Sequence, residues 1–389
     1  MTRSGRILTI SLLVVLPMFC QAADNQLTVK AINKLQLARP SQTIELSGQQ
    51  LASLGEKDLH KIHVKDAAGK ELLCQAVDTD GDYHPDIVIF QADFAAGESK
   101  TFTATVGKKW DYTKDQFRAY GRFVRERFGD FAWENDRIAH RTYGKALETW
   151  KEEPLTSSAI DVWVKRVSSL VINGWYLLDN YHVDHGEGAD FYSAGTTRGN
   201  GGDGLWANDK LWVSKNFVDS RLLACGPLRV MFELTYEPFD VNGTKVSEVR
   251  RISLDAGQNL DHYQVFYKPE ESTALTVGIG IKKKDVTETD ARTDRSSLTT
   301  WEELQENKKV QGYLGQAIVL DPQLFVKNAE DKLNYLVLAK MSKDNSISYW
   351  AGFGWDKSGQ FADYDAWKTY TDQFAQGALS PIEVSVTGN

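Results

Sequence analysis

Cysteine is scarce in this chain, with three in 389 residues, at Cys20, Cys74 and Cys225. That count excludes a cysteine-built zinc framework and a fold stapled by many disulfides. A single bridge between Cys74 and Cys225 suits an oxidising compartment; two buried free thiols are the plainer alternative. Long apolar runs are missing beyond the first 22 residues, and none approaches the roughly 18 residues of a membrane-spanning helix. Positive charge is in the minority, with 45 Lys and Arg against 53 Asp and Glu and a net charge of −8. Such a chain has no electrostatic footprint for nucleic acid, and an anionic ligand would have to meet a local basic pocket. No internal repeat or low-complexity tract is visible.

What is present begins with a leader. Arg3 and Arg6 precede a mostly apolar run over residues 7–19, and Cys20-Gln21-Ala22 follows. This is the pattern of a signal peptide over residues 1–22, cleaved after Ala22. A lipoprotein anchor at Cys20 is disfavoured because Pro17, Met18 and Phe19 stand where small residues would be needed. The expectation is a periplasmic or secreted protein with no membrane association after cleavage.

Short alternating or β-branched segments, punctuated by Gly and Asp, fill residues 27–106 and return from about residue 203. Strand after strand without long intervening helices means antiparallel β. The expected division is an N-terminal β-strand region, 23–109, and a main β-sandwich domain, 110–389, carrying the site. The fold class is mostly β, an antiparallel β-sandwich with a few short helices. Residues 364–374 read as a helix, whereas 160–178 fit an amphipathic helix or two strands equally.

Two dense segments are poor material for a core. The first is Tyr181-His182-Val183-Asp184-His185-Gly186-Glu187-Gly188-Ala189-Asp190. Its glycines argue for a loop, where functional residues concentrate. His182 and His185 have metal-ligand spacing, but no third soft ligand stands nearby, which favours proton chemistry. The second runs from Asp130 to Arg141. Read as one strand, it puts Glu134, Asp136, Ile138 and His140 on one face and Asn135, Arg137, Ala139 and Arg141 on the other. A buried salt-bridge network is the structural alternative for Glu134, Asp136 and Arg137. Tryptophans 133, 163, 175, 206 and 212 surround this polar centre, and aromatic faces beside polar groups suit sugar rings. Asp78, Asp80, Asp82 and Asp86 space oxygen ligands around Gly81 like a short calcium loop, without the distant glutamate of an EF-hand; an acidic turn explains them as well.

These motifs carry a resemblance. Residues 130–144, 160–166 and 181–188, supported by 214–219, 224–227 and 251–257, together resemble the bacterial family known as domain of unknown function 4861, across essentially the whole mature chain. One departure is Tyr83, where the acidic loop would be expected to carry glycine. The resemblance implies a sandwich related to galactose-mutarotase-like supersandwiches. It also implies an oligosaccharide dehydratase, which removes water from a non-reducing-end uronate to leave a 4,5-unsaturated residue.

Elimination from a uronate needs a neutralised carboxylate, a base for the C5 proton and an acid for the leaving oxygen. The expected assignment is His182 as base, Tyr181 or His140 as acid, and His185 orienting its neighbours. Asn135 and Arg137 would hold the carboxylate, with Glu134, Tyr143, Trp133 and Glu187 lining the site. No cofactor is required, with structural calcium as an option, and the partner is an acidic oligosaccharide. Nothing in the sequence fixes the oligomeric state. The alternatives are a glycoside hydrolase pairing Glu134 or Asp136 with Glu187, and a non-catalytic sugar-binding module.

Overall fold

Along Thr244–Asp255, Val246, Glu248, Arg250, Ile252 and Leu254 are buried while the residues between them are mostly half-buried. This period-two pattern belongs to a strand with one face on a core and the other under a partial cover. That strand lies within an eight-stranded antiparallel sheet in the spatial order Phe217–Cys225, Arg229–Val241, Thr244–Asp255, Leu260–Pro269, Ser346–Trp355, Lys309–Leu320, Ser297–Glu306, Val286–Arg292. The computed structural model describes residues 25–151, 155–271, 274–284, 286–292 and 297–388. The expected leader at 1–22 lies outside the described residues.

Two smaller antiparallel sheets face the large one. One orders Gly188–Ala189, Ile160–Lys165, Ala139–Thr142, Asp130–Asn135 and Ala119–Val124; the other centres on Asn200–Ala207, Thr276–Lys282 and Asn334–Lys340. Between them lies one continuous core that includes Phe131, Trp133, Val162, Phe232, Ile252, Tyr263, Ile318, Phe353 and Trp355. The mostly-β antiparallel sandwich expected from the sequence is what the chain forms. Among the described residues, no helix is long and apolar enough to cross a membrane.

The N-terminal region builds its own core from residues including Val29, Leu46, Ile62, Val64, Phe90 and Phe102. One boundary differs from expectation. The strand Glu383–Gly388 pairs with Gln26–Ile32, so the chain's end completes the N-terminal sheet instead of the sandwich. It is an edge strand with no buried residue, and its short weak alternation does not advertise where it docks. The helix expected over 364–374 forms as Tyr364–Leu379, capped by the Asp363 carboxylate accepting from Ala366 N. Trp367, fully buried, presses it onto the outer face of the large sheet. Cys74 and Cys225 are free thiols, which answers the disulfide question.

Candidate active site

A tight turn reorganises the segment 130–141. Asn135 N donates to Ile138 O at 3.0 Å, and Asn135 Oδ1 accepts from Arg137 N at 2.8 Å and Ile138 N at 2.9 Å. The stretch is therefore a hairpin, with Glu134 opposite Ala139 and Trp133 opposite His140. Alternation restarts after the turn. Glu134, Ala139 and Arg141 share the outer face, and His140 points into the sandwich, which corrects the expectation that Glu134 and His140 face the same way.

Several expected site residues are thereby removed from solvent. His140 is fully buried, with Nδ1 donating to Asp161 O at 2.8 Å and Nε2 3.0 Å from Asp261 Oδ2, off the line of a hydrogen bond. Trp133 is fully buried beside it and donates to Asp261 Oδ1 at 2.7 Å. Glu134 binds Lys165 Nζ at 2.7 Å and accepts from Val171 N and Ile172 N, pinning the start of the helix Ile172–Leu178. Asn135 Nδ2 donates to Asp255 O and Gln258 O, while Arg137 reaches Asn259 Oδ1 at 2.9 Å. Asn135 and Arg137 thus face the 255–259 loop, away from Tyr181. Tyr143 is buried under the Arg141 guanidinium, 5.4 Å from its ring centre. Of these six, Glu134 sits in a buried salt bridge, Trp133, Asn135, His140 and Tyr143 are buried, and Arg137 is half-exposed; among the described residues none of the six is hydrogen-bonded to the His182 loop.

Arg141, Tyr181 and Asp190 do join the two segments. The undecided stretch 160–178 resolves into the strand Ile160–Lys165 and the helix Ile172–Leu178, and the chain then descends over the outer face of the sheet. Arg141 binds Asp161 Oδ2 at 2.7 Å and Asp190 Oδ2 at 3.0 Å, and donates to the Tyr181 hydroxyl at 3.2 Å. Arg127 Nε donates to the same hydroxyl at 3.0 Å. Burial drives Asp190 well above the usual carboxylate range, the Asp161 charge adds to this, and Arg141 opposes both. Burial also lifts Asp130, below Arg141, to about 7. Burial works against the Arg141 cation, but Asp161 and Asp190 outweigh it and keep it charged.

His182 sits at the edge of this cluster with 57% of its side chain exposed. Its Nδ1 lies 2.9 Å from Asp190 O. A carbonyl only accepts, so in the neutral ring Nδ1 carries the proton and Nε2 the lone pair. The ring lies 4.8 Å from that of Tyr181, which is itself stacked on Trp163 at 4.9 Å. His185 is exposed, with Nε2 3.3 Å from Asn180 Nδ2, and Glu187 accepts from Trp175 Nε1 at 2.9 Å. Asp184 pairs with Arg166 and accepts from Gly186 N and Gly188 N, closing the expected loop. Among the described residues, His182 and His185 belong to no cluster of three metal-capable side chains.

The match to known sequences spans residues 32–384. The chain belongs to the family described as Domain of unknown function (DUF4861). "Uncharacterized protein P7" from Formosa agariphila is 30% identical over 387 residues, covering 94% of this chain and 95% of that one. A protein in the Glycosyl Hydrolase Family 38 from Enterococcus faecalis matches with a TM-score of 0.48 at 10% identity, over 94% of this chain and 48% of that one. An alpha-mannosidase from Enterococcus faecalis V583 matches at 0.46 and 9% identity, over 93% and 46%. The chain spans about half the length of these solved structures.

Elsewhere in this DUF4861 chain, Asp78, Asp80 and Asp86 bring carboxylate oxygens within 4.8 Å of one another, and Asp82 stands outside the group. Burial opposes ionisation of Asp78, but N–H donors from Gly81, Tyr83 and Asp80 outweigh it and lower its pKa. Tyr83 adopts φ 70°, the left-handed backbone that explains why glycine was expected there. The five tryptophans expected around the site offer no sugar platform at the cluster: Trp133 and Trp163 are fully buried and Trp175 nearly so, whereas Trp206 and Trp212 are half-buried on another sheet. Arg127, Arg141, Asp161 and Asp190 were the residues to which sequence reasoning gave no role. Asp161, a lone anion inside the apolar run 160–164, was the signal that could have marked them.

Proposed function

We propose that this DUF4861 protein is a periplasmic or secreted carbohydrate-active enzyme that eliminates water from the non-reducing-end uronate of an acidic oligosaccharide. The observation that carries the reading is the half-exposed His182, its Nδ1 fixed on the Asp190 carbonyl, beside a tyrosine hydroxyl held by two guanidinium groups. We assign Nε2 of His182 as the base that takes the C5 proton. The C5–H electrons form the C4–C5 double bond, and the C4–O bond breaks. Tyr181 protonates the departing oxygen, which leaves as water; Arg127 and Arg141, aimed at its oxygen, suit the negative charge it then carries. The proton on His182 returns to Tyr181 through solvent, so the enzyme is unchanged. Arg127, half-exposed at the cluster's mouth, takes the carboxylate role first expected of Asn135 and Arg137. His185 steadies the loop.

No cofactor enters this chemistry, and an ion at Asp78, Asp80 and Asp86 would be structural. The hydrolase alternative needs two accessible carboxylates, but Glu134 is bound to Lys165 and Asp136 to Arg118 at 2.6 Å and Gly257 N at 2.7 Å. Incubation with uronate oligosaccharides separates the readings. Elimination yields the ultraviolet absorbance of a conjugated enoate, hydrolysis yields new reducing ends, and a binding module yields neither.

A further inference from the structure

The outer face of the eight-stranded sheet is roofed by the N-terminal unit and by the helix Tyr364–Leu379, and a cavity of about 600 Å³ lies beneath. Arg229, Arg251, His262 and Trp350 project into it, whereas their strand neighbours Val230, Ile252, Tyr263 and Tyr349 belong to the sandwich core. The His182 loop covers the outer face of the opposing sheet. The cavity and the proposed active site therefore lie on opposite sides of the sandwich.

The charges in this cavity do not cancel. Arg229 is neutralised by Asp255 at 2.6 Å and Glu45 at 2.7 Å, and Arg251 by Glu233 at 2.6 Å. Arg39 and Arg137 bind only neutral oxygens: Arg39 donates to Ser380 O at 2.7 Å and Gly377 O at 3.0 Å, and Arg137 to Asn259 Oδ1 at 2.9 Å. His262 adds no charge near neutrality, since burial and then the Arg229 cation push it down to about 4. Two cations thus face one cavity without a carboxylate partner among the described residues. Arg39 is buried, and removing a cation from water without a counter-ion is costly; a ligand carboxylate relieves that cost.

The apolar side fits a sugar. The Trp350 indole is half-buried on the cavity wall, stacked on His262 at 4.9 Å, with Phe374 at its edge. A flat ring and two cations lining one cavity are the combination that recognises a pyranose bearing a carboxylate. The volume is within the roughly 300–1,000 Å³ of ligand pockets.

We propose that this cavity is a second saccharide site, which binds an oligo-uronate through Arg39, Arg137 and Trp350 and holds it on the face opposite His182. It shares with the proposed function only the class of ligand.

Calorimetric titration of the full chain with tri-galacturonic acid, against maltotriose as the neutral probe, tests this. The acidic trimer binds the wild type, maltotriose binds about tenfold more weakly or worse, and Arg137→Gln and Arg39→Gln each lose about tenfold, the effect of one charge-assisted hydrogen bond. His182→Ala retains the Arg137-dependent binding. Arg39→Gln also loosens the helix end, so Arg137→Gln, at a half-exposed turn, decides if the first variant fails to fold. Unchanged affinity in Arg137→Gln, equal binding of maltotriose, or no binding of the acidic trimer overturns the proposal. Arg137-dependent binding without any enoate product supports this site and overturns the elimination reading instead.

Discussion

Arg141 and His182 show how differently two polar residues of one cluster should behave. Replacing Arg141 with Ala leaves Asp161 and Asp190 buried without their cation, at a cost of about 3–5 kcal/mol. The urea midpoint should fall accordingly, and a variant as stable as the wild type would show that the cluster is not held by charge. His182→Ala should leave that midpoint unchanged, because more than half the side chain is in solvent. The sequence could not separate His182 from His140. Both stand beside charged residues, and only the turn at 135–138 decides that His140 faces Asp261 in the core. Three other buried groups set a pH dependence. Burial raises the carboxyls of Asp130, Glu248 and Glu302 to about 7 from ordinary values of 3.8 to 4.5. Between those values the folded chain holds protons that the unfolded chain has lost, so this stability is fully present below about pH 4 and is lost as pH rises through 7. The melting temperature should therefore decline from about pH 5 to pH 8, and Glu302→Gln should flatten the slope. An identical slope in that variant would show that Glu302 does not contribute to the pH dependence.

At the scale of elements, the strands were legible where one face is buried, as in Thr244–Asp255. The strand Ile160–Lys165 is buried on both faces, so it shows no alternation, and it leads into a helix of only seven residues. That is why 160–178 read as helix or strands. The loop at 181–190 was legible from its glycines, but its docking was not. Gly188 has φ 116°, and a Cβ there would lie 2.0 Å from Val164 O, whereas at Gly186, with φ 106°, a Cβ meets nothing within 4 Å. Gly188→Ala should therefore break the pairing with Lys165 and cost both stability and activity. Gly186→Ala should cost only backbone strain, about 1–2 kcal/mol. Thermal melting and turnover measured side by side check the contrast, and equal losses in the two variants would contradict the docking.

For the whole molecule, the fold class was readable from patterning, whereas the closure of the chain was not. Pairing of Glu383–Gly388 with Gln26–Ile32 joins residues at opposite ends of the sequence, and an exposed edge strand carries no marker of its partner. Ending the chain after Ile382 should uncover the edge of Gln26–Ile32, lower the melting temperature of the N-terminal unit and promote self-association. Light scattering that stays at the wild-type level would argue that the strand is dispensable. Likewise, Arg137 was expected to hold a carboxylate beside His182, whereas the structure places it at the cavity under the N-terminal unit.

Proton removal at His182 is tested by following enoate absorbance with a uronate oligosaccharide for the wild type and His182→Ala. The signal should grow steadily with the wild type and at a rate lower by about 10²-fold or more in the variant, which should melt at the same temperature. Wild-type growth of the signal in His182→Ala, or no signal from the wild type, would contradict proton removal at His182.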